Sequence, residues 1–561
     1  MWFCQAPPDR TKDRTVPSSH KLNHILANTN SPAMSDLAPS TSFLQCTERI
    51  GQGTMSGGFQ SQRYASFSFS AYCESTWPLG NSPHTTSIHI LNDDSLLNVF
   101  YLYRPFLLDE DEDGEDRFNG GKRQWSEECW WYYKLVHVCQ RWRNIIFRSA
   151  SYLGLSLVCT KGTPVTDMLA HSPSFPLVID YVEKYRCLAA EDEERAILAL
   201  KQRNRIRRIR LFMPITNLQK FIDAIEEEYP ILEYLIVWSL ITDITTFLMF
   251  PETFHAPHLR HLALVDFCLP TASRLLTSAV GLVTLCLVIN HPTVYFDTDT
   301  LLQWLSFMPQ LESLMIGLIF IFPDRGVERQ TPVTLPNLHH FSFQGHSTYL
   351  EALIYRITPR PEKLELHFTD QRTFSVPRLL QFMNTTENRK FESAKVKFYE
   401  WRASVAVYPC GETEMYALSI TISKLSSNGR FDWLVSSVAR LSQSFSQIFS
   451  AVERLDLERD DEADSRTPEE HWCRVVQNGV DPIKWRQLLS SFNNVKTLRI
   501  NNGLVEEVSR CLELDDGELP LELLPELQEL AYSRSGEAVD GFTSFMDARQ
   551  NAGRPITLTR Y

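Results

Sequence analysis

The chain has 561 residues, with 55 Lys and Arg against 68 Asp and Glu, and a formal net charge of −13. A surplus of acid disfavours whole-protein binding to a phosphate backbone, where basic patches supply most of the affinity. At 43% hydrophobic, with 33 Phe, 19 Tyr and 12 Trp, the chain can bury a large core, which excludes a wholly disordered acidic protein.

Residues 1–86 are rich in Ser, Thr, Pro, Gly and Asn and have neither helical nor strand period. Such a composition buries too little apolar surface to offset chain entropy, so a disordered tail is expected. The run Gly51–Gly58 misses the phosphate-binding spacing, because Ser56 stands where the last Gly is needed. No apolar h-region follows Met1, so no secretory route is expected.

Residues 87–150 read as a helical module. Leu96, Leu97, Phe100 and Tyr103 recur at helical spacing over 91–103, with Asp93, Asp94 or Ser95 available to cap the start. A polar insertion, 104–124, carries the acidic run Asp109–Asp116. Its Asp-x-Asp-x-Asp-Gly opening resembles a calcium loop, but the twelfth position is Gly120 rather than the bidentate Glu, so a solvated acidic loop is expected. A second helix is expected over Glu127–Phe147, with Trp131, Leu135, Val138, Cys139, Trp142, Ile145 and Ile146 on one broad face.

From residue 206 the pattern apolar-x-x-apolar-x-apolar recurs. It fits 206–211, 232–237, 259–264, 282–287, 311–316 and 338–343, and more weakly 361–366. The fourth positions, Ile209, Leu235, Leu262, Leu285, Leu314, Phe341 and Leu364, are separated by 26, 27, 23, 29, 27 and 23 residues. All these intervals lie in the window of leucine-rich repeats, each unit a short strand and a helix burying one face on the next. The expected fold is α/β: a helical module, then an irregular repeat solenoid over 151–400, then degenerate repeats or a C-terminal cap over 401–561, where 452–457, 495–500 and 527–532 carry sparser matches. Helices are expected between strands, as at 218–228 and 300–307. Only Asn290 supplies the Asn or Cys that usually follows the template, so the turns must close in another way.

The stretch 231–250 is apolar, but Glu233 and Asp243 make it core rather than a membrane span. The twelve cysteines are scattered and none forms Cys-x-x-Cys, which points to free thiols in a reducing compartment, cytoplasmic or nuclear. No Walker loop, Gly-x-Ser-x-Gly or His-Glu-x-x-His occurs, so no catalysis, metal or cofactor is expected.

Leu91-Asn-Asp-Asp-Ser-Leu-Leu-Asn-Val-Phe100 resembles the first helix of an F-box, and Leu135-Val-His-Val-Cys-Gln-Arg-Trp142 resembles its Val-Cys-x-x-Trp segment. Together with 163–169 and 175–179, the chain resembles the F-box-like repeat proteins that mushroom-type fungi carry in large numbers. The resemblance implies a substrate-recognition subunit of a cullin–RING ubiquitin ligase, docking a Skp-type adaptor and through it a cullin, with a protein substrate on the repeats. It carries the adaptor role to Leu91, Leu96, Leu97, Val99, Phe100, Leu135, Val138, Cys139 and Trp142, read as an apolar docking face with aromatic anchors. Asn92 stands where the family has Pro, and the insertion parts the two helices. The alternative is therefore a repeat scaffold that binds a protein but not the adaptor.

Strand alternation turns the residues between the template leucines away from the core. That face is expected to present Arg208, Arg210, Tyr234, Ile236, Trp238, His261, Val265, Met315, His340, Gln344, Lys363, Glu365 and His367. The candidate substrate-binding residues are Arg208, Arg210, Tyr234, Trp238, His261, Met315 and His340. The basic run 201–210 is expected to meet an acidic protein partner or solvent; neither nucleic acid nor a membrane is expected as partner.

Overall fold

The computed structural model describes residues 90–104, 131–183, 188–225, 228–240, 248–270, 273–291, 297–318, 332–384, 391–411, 415–424, 431–460, 480–501, 503–513, 522–533 and 540–561. All lie within one compact unit, Thr86–Tyr561. The tail 1–86, the glycine run at 51–58, the acidic insertion beyond Arg104 and the calcium-like motif fall outside the described residues.

Sixteen strands form one sheet. In chain order they are β1 Leu157–Cys159, β2 Leu177–Val182, β3 Ile206–Pro214, β4 Tyr234–Leu240, β5 His261–Val265, β6 Thr284–Ile289, β7 Ser313–Leu318 and β8 His340–Gly345. There follow β9 Lys363–Thr369, β10 Phe391–Phe398, β11 Arg402–Pro409, β12 Leu418–Ser423, β13 Arg454–Arg459, β14 Thr497–Ile500, β15 Glu529–Tyr532 and β16 Thr557–Arg560. From β1 to β9 each strand pairs in parallel with the next, so the architecture is mixed α/β with a long parallel sheet, a leucine-rich-repeat-like solenoid.

The repeat template explains the regularity. Its first apolar residue ends a tight turn: the amides of Leu232, Leu259, Leu282, Leu311 and Leu338 each donate to the carbonyl three residues back, at 3.1–3.3 Å. Its fourth and sixth residues, such as Leu235 and Val237, are fully buried on the helix-covered side. The same turn precedes β13, β14 and β15 at Val452, Val495 and Leu527, so the repeat pitch runs past residue 400. Helices Ile215–Asp223 and Thr298–Leu305 lie between the strands, near the expected 218–228 and 300–307. The leucines pack into one continuous core that runs from Leu96 to Ile556. Removing any fully buried leucine there is expected to cost about 2–5 kcal/mol.

Between β9 and β13 the parallel order is broken. The chain leaves β9, passes the helix Pro377–Asn384 and enters β10 two places beyond the vacant slot. β11 then returns antiparallel to β10, and β12 fills the slot beside β9, antiparallel to β11 and parallel to β9. The helix Phe431–Ser444 carries the chain to β13, which pairs in parallel with β10.

The strand-end turns close as the missing asparagines required. Asp266 follows β5 at φ 67° and Asp370 follows β9 at φ 52°, both in the left-handed region that Asp tolerates better than most side chains. The Asp266 carboxylate accepts from the backbone amide of Asn290 at 2.7 Å and from its side-chain amide at 3.1 Å. Gly345 ends β8 at φ 152°, where a Cβ would stand 2.4 Å from the Leu318 carbonyl oxygen, so only glycine fits.

Candidate functional site

Two surfaces bear candidate function: the helical module and the face of the sheet turned away from the core. In the module, α1 spans Asp93–Tyr103, α2 Tyr133–Val136, α3 Gln140–Arg148 and α4 Ala150–Leu153. Asn92, not one of the three residues after it, caps α1: its side-chain oxygen accepts from the Ser95 amide at 2.7 Å. The continuous helix expected over Glu127–Phe147 is interrupted, because Cys139 is extended (φ −159°, ψ 167°) and serves as the N-cap position of α3. Arg143 spans that break by donating to the Val136 carbonyl at 3.0 Å.

α1 docks on α3. Phe100 meets the Trp142 ring edge to face with centroids 4.8 Å apart. Arg141 pairs with Asp93 at 2.7 Å and donates to the Leu91 carbonyl at 2.6 Å. Between the helices lies a groove of about 430 Å³ lined by Asp93, Asp94, Leu97, Arg141, Asn144 and Arg148.

The nine residues given an adaptor role divide into three groups. Leu96 and Phe100 are fully buried, which corrects their reading as part of an outward docking face: they hold the module together. Leu97, Leu135, Cys139 and Trp142 are half-buried. Leu91, Val99 and Val138 face solvent. Four apolar neighbours to which the resemblance gave no adaptor role are also exposed: Ile90, Tyr101, Leu102 (71%) and Tyr103. Their signal was present, since apolar side chains run around every side of α1 and one stripe cannot be covered by the α3 contact.

The seven substrate candidates do share one sheet face. Cross-strand register aligns Arg208 with Tyr234, Tyr234 with His261, His261 with Thr284, Thr284 with Ser313 and Ser313 with His340. The next row runs Asp180, Arg210, Ile236, Ala263, Cys286, Met315, Ser342 and Glu365. A third runs Phe212, Trp238, Val265, Val288, Gly317, Gln344 and His367. Val265 is buried rather than presented.

Chemistry changes along these rows. At the β3 end, the Arg208 guanidinium stands 4.3 Å over the Tyr234 ring, which stacks on His261 at 4.1 Å and 11°. Arg210 grips Asp180 with two contacts of 2.7 Å. In the middle, Ala263, Val265, Cys286 and Val288 form an apolar island separate from the main core, edged by Ile236, Trp238 and Met315. Desolvation there pushes the Cys286 thiol far up, so it stays protonated.

The β8–β12 end is polar. Glu365 lies 2.9 Å from the Lys363 ammonium and 3.4 Å from His340 Nε2, and accepts from the Tyr416 hydroxyl at 2.6 Å. Burial alone would raise this carboxyl, but the contacts with His340, Tyr416 and Lys363 outweigh it and hold Glu365 well below the usual carboxylate range. His367 Nε2 lies 2.7 Å from the Ser423 hydroxyl. Burial, with the nearby Arg402 charge, pushes His367 down to about 4, so its ring is neutral at pH 7. Tyr416 and Arg402 come from strands or turns outside the repeat template, which is why the sequence reading passed over them.

Among the described residues no group of three or more His, Cys, Asp or Glu could hold a metal ion, and no helix is long and apolar enough to cross a membrane.

No protein-family model matches the sequence. No curated protein matches it either. Among solved structures it is similar to the chain in the crystal structure of a TLR13–ssRNA13 complex, with 12% identity and a TM-score of 0.26. The match covers 72% of this chain and 48% of the other, so the chain spans about half that protein's length. At this score the likeness carries no argument, and the repeat-like arrangement rests on the strand ladder itself.

Proposed function

We propose that the chain is a protein-binding repeat scaffold whose helical module docks a Skp-type adaptor, making it a substrate-recognition subunit of a cullin–RING ubiquitin ligase. The observation that carries the docking half is the exposed apolar stripe of α1, where Val99, Leu102 and Tyr103 are 48%, 71% and 56% exposed at i, i+3 and i+4. Leu91 and Val138 border it. Among the described residues beyond this module, exposed large apolar side chains such as Val280 and Phe307 are scattered, as on any surface. A helix that buries one apolar stripe and shows another to water is suited to a second helix or groove. The F-box-like residues named above point to which partner that is.

The substrate half of the proposal rests on the sheet face, where aromatic and arginine side chains, common binding anchors, stand in register across successive strands. The test is a pull-down of purified Skp-type adaptor on the full chain beside Val99→Asp/Leu102→Asp. Saturable capture by the wild type, lost in the double variant while its thermal midpoint holds, supports the reading. No capture by folded wild type overturns the adaptor role and leaves the repeat scaffold.

A further inference from the structure

The β10–β11 turn is followed by a cation that makes no ion pair among the described residues. Arg402 opens β11, and its guanidinium carbon stands 4.4 Å from the Tyr399 ring centroid and 5.4 Å from that of Trp401. Aromatic rings this close attract the cation while consuming none of its N–H donors. Among the described residues the guanidinium makes no ion pair and no hydrogen bond. Glu458, on β13 two strands away, pairs with Lys395, and Asp460, just beyond that strand, pairs with Lys397, each at 2.8 Å.

Register places one hydroxyl residue beside Arg402 and a second one strand further along the same row. Arg402 pairs across the sheet with Ser423, and Ser423 pairs with Thr369. Thr369 is 6% exposed and its hydroxyl has no hydrogen-bond partner, an expensive state for a buried polar group unless a ligand completes it. Trp401, 49% exposed, offers apolar surface beside the cation.

We propose that Arg402, beside Tyr399 and Trp401, receives a carboxylate side chain, Asp or Glu, from an extended peptide segment lying on the open sheet face. The charge count selects carboxylate over phosphate. Arg402 contributes one positive charge; of the basic groups around it, His367 is neutral at pH 7 because burial and Arg402 hold its proton off, Lys397 is paired with Asp460 at 2.8 Å, and the Lys424 ammonium stands over the Trp433 ring at 5.9 Å. One planar fork matches one planar monoanion, whereas a phosphate dianion would be left half neutralised. The inference rests on the reading of the sheet face as the partner-binding face, but not on adaptor docking at α1.

The test uses the full chain, immobilised, and three equimolar pools of capped peptides with randomised flanks and a central Glu, Gln or phosphoserine. A charge-assisted pair of this kind predicts retention of the Glu pool about tenfold above the Gln pool. In Arg402→Gln the two pools should be held within about twofold of each other, with Arg402→Lys between, and both variants should melt within about 2 °C of the wild type, as surface changes do. Equal retention of the Glu and Gln pools by the wild type, including retention of neither, overturns the proposal. So does a Glu preference that survives Arg402→Gln, or stronger retention of phosphoserine. A Glu preference in a protein that fails to capture the adaptor would sink the ligase reading alone.

Discussion

The rings of Phe100 and Trp142 meet at 4.8 Å and 62°, and this contact joins α1 to α3. Phe100 is buried and Trp142 half-buried, so the pair builds the module and leaves Val99, Leu102 and Tyr103 on the outside. Stability thus rests on one set of residues of this short helix, and the proposed docking on another.

Trp142→Ala is expected to destabilise the module by about 2–4 kcal/mol, slightly below the range for a fully buried Trp. Leu102→Asp, at an exposed position, should change stability by no more than about 0.5 kcal/mol. Urea titration of the full chains, followed by proteolysis within 90–153, separates the two. Equal losses would show that the stripe is structural.

Gly345→Ala should cost more than about 3 kcal/mol, because its Cβ would lie 2.4 Å from the Leu318 carbonyl in the β7–β8 ladder. Gly411→Ala, at a left-handed position with open space around it, bears the backbone cost alone, about 1–2 kcal/mol. Paired denaturation curves check the difference, and similar losses would contradict the close approach.

Asp180 and Arg210 form a pair whose side chains are 3% and 16% exposed. Asp180→Ala leaves a guanidinium with a vacated partner and should cost about 3–5 kcal/mol. Asp180→Leu/Arg210→Met should recover most of that loss in a double-mutant cycle. Additive single losses would mean that the two groups act separately.

His367 titrates at about 4 in the fold against an ordinary 6.5. Its folded pKa is depressed, so above pH 6.5 both states are neutral and the contribution is full. As pH falls from 6.5 to 4 the unfolded chain takes the proton first and stability drops, by up to about 3 kcal/mol. His367→Asn should flatten the stability curve across that window. Glu365, held below the carboxylate range, loses its own contribution only at lower pH, as it protonates. An unchanged slope between pH 6.5 and 4 in His367→Asn would contradict the burial of a neutral ring.

The repeat strands were legible because one physical demand, two buried apolar positions per strand and one in the turn before it, writes itself into the chain at a narrow spacing. Ile209, Leu235, Leu262, Leu285, Leu314 and Phe341 all lie where that demand places them. The β10–β12 meander obeys a different rule. Its strands alternate strictly, as in Ala394, Val396 and Phe398 or Ala403, Val405 and Val407, and lack the turn residue, so a search for the repeat passes over them. Arg402 was hidden for the same reason. The split of α1 into buried Phe100 and exposed Leu102 could not be read from spacing, since every side of that helix is apolar and only the position of α3 decides which stripe is covered. The break at Cys139 escaped because the apolar positions on either side keep an almost helical period.

The most direct test of the central claim is hydrogen exchange of the full chain with and without a saturating Skp-type adaptor. Docking at α1 predicts added protection in α1 and α3 and unchanged exchange in β3 through β9. No added protection in α1, or protection appearing on the sheet strands instead, would contradict it.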